Sequence, residues 1–271
     1  MSDLARRVLT ALVLLPIVIG AVVLGGWPFA ALIALAAGIA QWELYNLGEA
    51  GGIRPLKPLG VATGALVVLV PVWTGALPLA VLALLALIAA ELFRRQEAPL
   101  AAAALGGFGV LYPSLLIASV VYIRVGAAPV VGEAGAAWLT VAALVAVWAA
   151  DTFAYFTGRS IGRRKLFERV SPKKTIEGTV GGVIGAIVAL LLMQWLVLPF
   201  LTPLHAAMIG LIAGVVGPFG DLTASLFKRA VGVKDSGRLL PGHGGLLDRI
   251  DALIFCGPVI LIYLVFVARL F

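Results

Sequence analysis

Residues 178–198 read GTVGGVIGAIVALLLMQWLVL and contain no charged side chain. An α-helix of about 20 apolar residues is long enough to cross the hydrocarbon core of a bilayer, so this stretch predicts a transmembrane helix. Similar apolar runs precede and follow it along the chain. Together they predict nine spans, at about residues 8–24, 27–45, 59–76, 78–93, 105–122, 138–157, 178–198, 204–221 and 252–268. The sequence therefore predicts an all-α integral membrane protein, built as a polytopic helix bundle.

The composition of the whole chain agrees with this fold class. Hydrophobic residues make up 62% of the sequence and charged residues 12%, whereas a soluble domain carries about 25% charged residues. One soluble core cannot bury so much apolar surface, which excludes a soluble enzyme, a nucleic-acid-binding domain and a disordered chain. Cys256 is the only cysteine, which excludes an intrachain disulfide. We expect residues 1–271 to form a single polytopic membrane domain, with N-terminal helices in 1–137 and the polar motifs among the C-terminal helices of 138–271.

The basic residues predict the direction in which the helices cross the membrane. If the N-terminus lies inside, 18 of the 20 Lys and Arg residues fall in inner segments, and Arg124 and Arg269 fall outside. Because inner loops are enriched in Lys and Arg, we expect a multi-pass protein of the cytoplasmic (inner) membrane with a cytoplasmic N-terminus. Arg6 and Arg7 precede the first apolar run, but no small-residue cleavage site follows it. We interpret this run as a retained helix rather than a signal peptide.

Acidic residues accompany the cations of the two most basic inner segments. These segments, between the sixth and seventh and between the eighth and ninth predicted spans, hold twelve basic residues. Attraction to anionic lipid headgroups, at about 1 kcal/mol per residue, is one explanation for such an excess. Carboxylates within or at the ends of spans are costly, however, and are typical of functional sites. They are Asp151, Asp221, Asp248 and Asp251.

The spacing of these residues indicates a phosphate ligand. Asp221, Ser225 and Lys228 follow at i, i+4 and i+7, which places them on one face of a helix. We expect the preceding sequence GPFG at 217–220 to loosen that helix. We expect the sequence PGHGG at 241–245 to form a loop whose amides could approach a phosphate closely, although no Walker sequence GxxxxGK[ST] occurs. Because magnesium binds one or two carboxylates together with phosphate oxygens, carboxylates among many cations predict a polyphosphate with a divalent metal.

A second basic cluster, Lys173 and Lys174, precedes the glycine-rich sequence GTVGG at 178–182. The two lysines suit either a substrate contact or membrane topology alone. The glycines suit either close helix packing or a phosphate contact, and the sequence leaves both explanations open.

The polar residues of the C-terminal half resemble the signature of the phosphatidate cytidylyltransferases, which are also called CDP-diacylglycerol synthases. The residues that carry this resemblance are Ser225, Lys228, Arg229, Lys234, Asp235, Gly237, Pro241, Gly242, His243, Gly244, Gly245, Asp248, Arg249 and Asp251. Two upstream stretches are also similar to the family. They are Asp151 to Tyr155 with Gly158 and Arg159, and Ser171 to Thr175 with Glu177 and Gly178. The resemblance covers about residues 148–251, while the first half is similar only in hydropathy.

The resemblance implies that CTP and phosphatidate react to give CDP-diacylglycerol and pyrophosphate, with one magnesium ion or two. It also implies a homodimer among membrane lipids, with the active site at the cytoplasmic surface. On this resemblance the metal ligands are Asp221 and Asp248, with Asp151 and Asp251 as further candidates. The other expected catalytic residues are Lys228, Arg229 and His243. The expected substrate contacts are Lys173, Lys174, Ser225, Lys234, Asp235, Gly244, Gly245 and Arg249.

Two other functions use similar residues. A CTP-dependent lipid kinase would transfer the γ-phosphoryl group to a lipid alcohol, and the full length of the signature favours the cytidylyltransferase over it. A transporter of anionic lipids typically shows repeated halves and a site near the membrane midplane. The sequence shows no internal repeat, and its polar residues are predicted to gather at one membrane face.

Overall fold

The structure is a computed structural model that describes residues 3–237, 239 and 244–271. Within these residues, seven helices are long and apolar enough to cross a membrane. They are Gly26–Ala50, Ala76–Phe93, Pro99–Gly126, Ala128–Ile161, Ile176–Val197, Pro203–Ala230 and Leu247–Phe266, and two shorter apolar helices are Leu12–Leu24 and Lys57–Leu69. Each of these nine segments overlaps one of the nine predicted spans, and seven of them are long enough to cross a membrane. The prediction of an all-α polytopic membrane protein is confirmed.

The chain forms two compact units. The first contains described residues from 3–121 and 227–250, and the second contains residues 122–226 and 251–271. The helices of the first unit are α1 (Asp3–Leu24), α2 (Gly26–Ala50), α3 (Lys57–Leu69), α4 (Ala76–Ala89), α5 (Pro99–Gly109) and most of α6 (Leu116–Gly126). The elements of the second are α7 (Ala128–Ile161), β1 (Lys165–Phe167), β2 (Ser171–Thr175), α8 (Ile176–Val197) and most of α9 (Pro203–Ala230) and α10 (Leu247–Phe266). The prediction of one membrane domain, divided near residue 137, stays a prediction.

A buried polar network fixes α2 within the first unit. The Gln41 side-chain amide donates to the Tyr45 hydroxyl at 2.7 Å and accepts from the Ser114 hydroxyl at 2.9 Å. The Tyr45 hydroxyl donates to the carbonyl oxygen of Gly106 at 2.7 Å. Ser114 lies in a π-helical segment, Val110–Leu115, that joins α5 to α6. This segment contains a proline, which lacks a backbone N–H and disturbs regular helical hydrogen bonding.

In the second unit, α7 and α8 pack closely because glycines line the facing surface of α8. A Cβ atom at Gly182 would lie 2.7 Å from the carbonyl oxygen of Ala150, and one at Gly178 would lie 2.8 Å from that of Ala154. Such distances are too short for a real Cβ, so only glycine allows this approach. Helix packing therefore accounts for the GTVGG sequence, one of the two explanations that the sequence left open.

The prediction that the helix loosens at 217–220 is wrong. Helix α9 continues through this stretch to Ala230, with Pro218 inside it. A proline costs a membrane helix one backbone hydrogen bond, and such prolines are tolerated there. The nearby glycines again serve close packing, since a Cβ at Gly220 would collide with the backbone of Asp251.

A β-hairpin, which the sequence did not predict, connects α7 to α8. Strands β1 and β2 are antiparallel, with Lys165 opposite Thr175 and Phe167 opposite Ser171. The Thr175 hydroxyl accepts a hydrogen bond from the Gly178 amide at 3.1 Å and caps the N-terminus of α8. The carboxylate of Glu177 accepts hydrogen bonds from the backbone of Arg163 and Arg164. These contacts hold the hairpin, and with it the predicted site residues of β2, against the start of α8.

Candidate active site

In the first unit, a buried ion pair joins the last turn of α9 to the first turn of α10. The ammonium of Lys228 lies 2.5 Å from the Oδ1 atom of Asp248, and the two side chains are only 10% and 8% exposed. The other oxygen, Oδ2, accepts hydrogen bonds from the Ser236 amide at 3.0 Å and the Gly245 amide at 3.3 Å. Each oxygen of this carboxylate is therefore bound, and the charge of Lys228 balances its own. Charge-assisted hydrogen bonds of this kind fix side-chain geometry strongly.

Two glycines of the predicted signature, Gly244 and Gly245, allow the backbone before α10 to approach Asp248. Gly244 has a φ of 79°, which favours glycine over residues with a Cβ. At Gly245, a Cβ would collide with the Ser236 hydroxyl and with Glu43. In the described structure, Gly244 thus adopts a turn conformation, and Gly245 allows Ser236 and Glu43 to lie close to the backbone. His243 lies outside the described residues.

Glu43 of α2 is a buried carboxylate that the sequence analysis did not select. It accepts hydrogen bonds from the Ser236 hydroxyl at 2.8 Å, the Leu246 amide at 3.0 Å and the Leu247 amide at 2.9 Å. A signal for it was present in the sequence. Glu43 is a carboxylate within the predicted span 27–45, and the rule that led to Asp151 applies to it equally.

The second unit contains a more open group of charged residues. The ammonium of Lys174 lies 2.6 Å from Oδ2 of Asp221, with side-chain exposures of 26% and 39%. The Ser225 hydroxyl donates to Oδ1 of Asp221 at 3.2 Å, as their i, i+4 spacing predicts. Asp251 is buried and Asp151 is exposed, and both lie in this unit. Three of the four predicted carboxylates, together with Lys173 and Lys174, thus lie in this unit.

The remaining predicted residues lie at exposed positions. Arg229 is exposed and donates to the carbonyl oxygen of Val233 at 3.0 Å. The others with exposed side chains are Lys173, Lys234, Asp235 and Arg249. The protein itself therefore does not bury these side chains.

The donor chemistry of both groups suits a hard cation such as Mg²⁺, which prefers oxygen ligands. Among the described residues, no three His, Cys, Asp or Glu side chains come together closely enough to hold a metal by themselves. Magnesium in phosphate-binding sites commonly takes only one or two carboxylates, and the phosphate oxygens and water complete its coordination. The residues present fit that mode of binding.

Apolar spanning helices and two lysine–aspartate ion pairs define a multi-pass membrane protein with charged groups beside its helices. The chain matches the cytidylyltransferase family over residues 5–267 and belongs to it. It is therefore a membrane-integral nucleotidyltransferase, which confirms the family resemblance seen in the sequence.

Two relatives that are named phosphatidate cytidylyltransferases agree with this assignment. Over 282 residues the chain is 32% identical to a phosphatidate cytidylyltransferase of Synechocystis sp., with 96% of each chain covered. It is 43% identical over 129 residues to a Bacillus subtilis phosphatidate cytidylyltransferase, covering 48% of this chain and 46% of that one. It is also 48% identical over 134 residues to an uncharacterized Escherichia coli protein, YnbB, covering 48% and 44% of the two chains.

Proposed function

We propose that this protein transfers the cytidylyl group of CTP to phosphatidate. One observation carries the proposal: the similarity to the Synechocystis phosphatidate cytidylyltransferase extends over 96% of both chains. The two carboxylate–lysine pairs support it, because both substrates are phosphates. The predicted orientation adds a physical reason. A cytoplasmic site at the membrane surface is where a lipid phosphate and a soluble nucleotide meet.

In the proposed reaction, an oxygen of the phosphatidate phosphate attacks the α-phosphorus of CTP. A new P–O bond forms there, the bond from the α-phosphorus to the β-phosphate oxygen breaks, and pyrophosphate leaves. No general base is required, because a phosphate monoester already carries about −1.5 to −2 charge at pH 7. The protein's task is to position two anions and neutralise their charge.

We assign that neutralisation to five basic residues. Lys228, Arg229 and Lys234 would bind the CTP phosphates and the departing pyrophosphate, and Lys173 and Lys174 would hold the lipid phosphate or the triphosphate. Lys228 and Lys174 each contact a carboxylate. On substrate binding, each would exchange its carboxylate for a phosphate oxygen.

Asp221 and Asp248 are the proposed magnesium ligands, and Asp151 and Asp251 are further candidates for a ligand or a second metal site. Bound magnesium would neutralise phosphate charge and orient the reacting groups. Once its lysine contacts phosphate, each paired carboxylate is available for this role. The homodimer and the cytoplasmic-membrane location remain predictions.

Position-specific labelling tests the proposal. Detergent-purified protein is given phosphatidate, Mg²⁺ and CTP labelled at either the α- or the γ-phosphate. We expect α label in the lipid product and γ label in pyrophosphate. Lipid labelled from the γ position would instead identify a lipid kinase. Folded protein that labels no lipid from either position would direct attention to lipid transport.

A further inference from the structure

Glu43 binds the start of α10, although it belongs to α2. The first N–H groups of any helix lack partners within the helix. At the start of α10, the amides of Leu246, which precedes the helix, and of Leu247, its first residue, donate to Oε1 and Oε2 of Glu43 at 3.0 and 2.9 Å. A carboxylate also interacts favourably with the positive end of the helix dipole. Glu43 therefore caps α10, although it is separated from Leu246 and Leu247 by 203 and 204 residues in sequence.

Ser236 connects this cap to the proposed metal ligand. Its hydroxyl lies 2.8 Å from Oε2 of Glu43 and 3.1 Å from Oδ2 of Asp248. Its amide also donates to Oδ2 of Asp248 at 3.0 Å. Since a hydroxyl has a single proton to donate, Ser236 can satisfy only one carboxylate at a time through it. Glu43, the nearer acceptor, fixes the Ser236 side chain, while the Ser236 amide fixes Asp248.

The helix that carries Glu43 is itself held in place. Gln41 and Tyr45, two residues before and after Glu43, belong to the buried polar network with Ser114 and Gly106. Because residues two apart point to different sides of a helix, α2 contacts the π-helical segment on one side and the α10 cap on the other. These contacts fix the position of α2, and therefore of Glu43.

We propose that Glu43 is a positioning residue for cytidylyl transfer. It holds the backbone before α10 so that Ser236 and Gly245 keep the Asp248 carboxylate in its reactive orientation. The catalytic part of this inference rests on the proposed function. The structural part, the cap on α10, does not.

Glu43→Gln tests both parts. Oε1 and Oε2 of Glu43 each accept from a backbone N–H, so either orientation of a glutamine amide sets its NH₂ group against an N–H donor. Hydrogen bonds to charged groups contribute about 1.5–3 kcal/mol, so exchange of the Leu246 and Leu247 amides should accelerate about tenfold or more. Hydrogen–deuterium exchange of the detergent-solubilised protein, read by mass spectrometry on a peptide spanning residues 244–250, measures this. We also expect kcat to fall about tenfold while KM for CTP changes less than about twofold.

Two further variants separate positioning from general damage. Glu49→Gln is the matched control, since Glu49 lies in the same helix, is more exposed and pairs with Lys57; its exchange and kcat should equal those of the wild type. Ser236→Ala removes the connecting hydroxyl and leaves the cap, so kcat should fall while exchange at residues 246 and 247 stays unchanged. If Glu43→Gln does not fold, Glu43→Asp replaces it. It keeps the charge but shortens its reach by one methylene, and the same local acceleration is expected.

The outcomes are distinct. Faster exchange confined to residues 244–250, with a lower kcat, supports the proposal. Unchanged exchange there, or acceleration spread evenly along the chain, overturns the cap. Local acceleration with an unchanged kcat, or a wild-type kcat in Ser236→Ala, overturns the positioning role. If the wild type transfers no cytidylyl group while Glu43→Gln still exchanges faster locally, the proposed function fails and the cap stands.

Discussion

The two units contain the same pair of functional groups in different surroundings. Lys228 and Asp248 of the first unit are 10% and 8% exposed, whereas Lys174 and Asp221 of the second are 26% and 39% exposed. A half-exposed ion pair contributes about 0–1 kcal/mol to stability. A buried charge that loses its partner costs far more. The first pair should therefore serve both stability and catalysis, and the second pair should serve catalysis with little effect on stability.

Asp248→Asn should have the largest effect, because it removes one charge of the buried pair. Lys228 is left buried without its counter-ion, which we expect to destabilise the protein by about 3 kcal/mol. Turnover should also fall at least about 100-fold, since even residues that support a metal ligand change activity by about 10–100-fold. Thermal unfolding in detergent and initial rates at saturating CTP measure the two effects.

The matched control is Glu97→Gln, which neutralises an exposed carboxylate of the same unit. It should unfold at the wild-type temperature and keep its activity. An unchanged unfolding midpoint in Asp248→Asn would show that the buried pair adds nothing to stability. Wild-type turnover in that variant would remove Asp248 from the proposed magnesium ligands.

Asp221→Asn should lower turnover without lowering stability, and so should separate these two properties. Turnover should again fall at least about 100-fold, because Asp221 is a proposed ligand. The unfolding free energy should change by no more than about 0.5 kcal/mol, because water can solvate the half-exposed Lys174. The same two measurements apply, with Glu168→Gln of the exposed hairpin as the control. A loss of stability equal to that of Asp248→Asn would contradict the difference between the two pairs.

Much of this fold was predictable because its signals are local. Runs of apolar residues predict spanning helices from their length alone, and the i, i+4 spacing of Asp221 and Ser225 predicts their contact. The error at Pro218 has a physical cause. Local propensity weighs a proline as a helix breaker, whereas close packing around Gly214 and Gly220 keeps α9 continuous.

Contacts between distant parts of the sequence were not predictable in the same way. Glu43 and Ser236 are separated by 193 residues, and no periodicity relates them. The different burial of the two lysine–aspartate pairs is also invisible in the sequence, where both consist of one basic and one acidic residue. Burial depends on the helices that surround each pair, so the contrast in stability emerges only from the fold.

Ser225→Ala should have the smallest effect. It tests how far the activity of the Lys174–Asp221 pair depends on a neighbouring hydroxyl. Ser225 donates one hydrogen bond to Asp221 at 3.2 Å, and such a bond contributes about 0.5–1.5 kcal/mol. We expect kcat/KM to fall about three- to tenfold, with an unchanged unfolding midpoint, because water can replace the hydroxyl at a half-exposed carboxylate.

If Ser225 acts by orienting Asp221, the magnesium concentration for half-maximal activity should rise while KM for CTP stays constant. The reverse pattern would assign Ser225 to a nucleotide phosphate instead. Thr223→Ala, which removes another hydroxyl from the same turn of α9, should leave both values at those of the wild type.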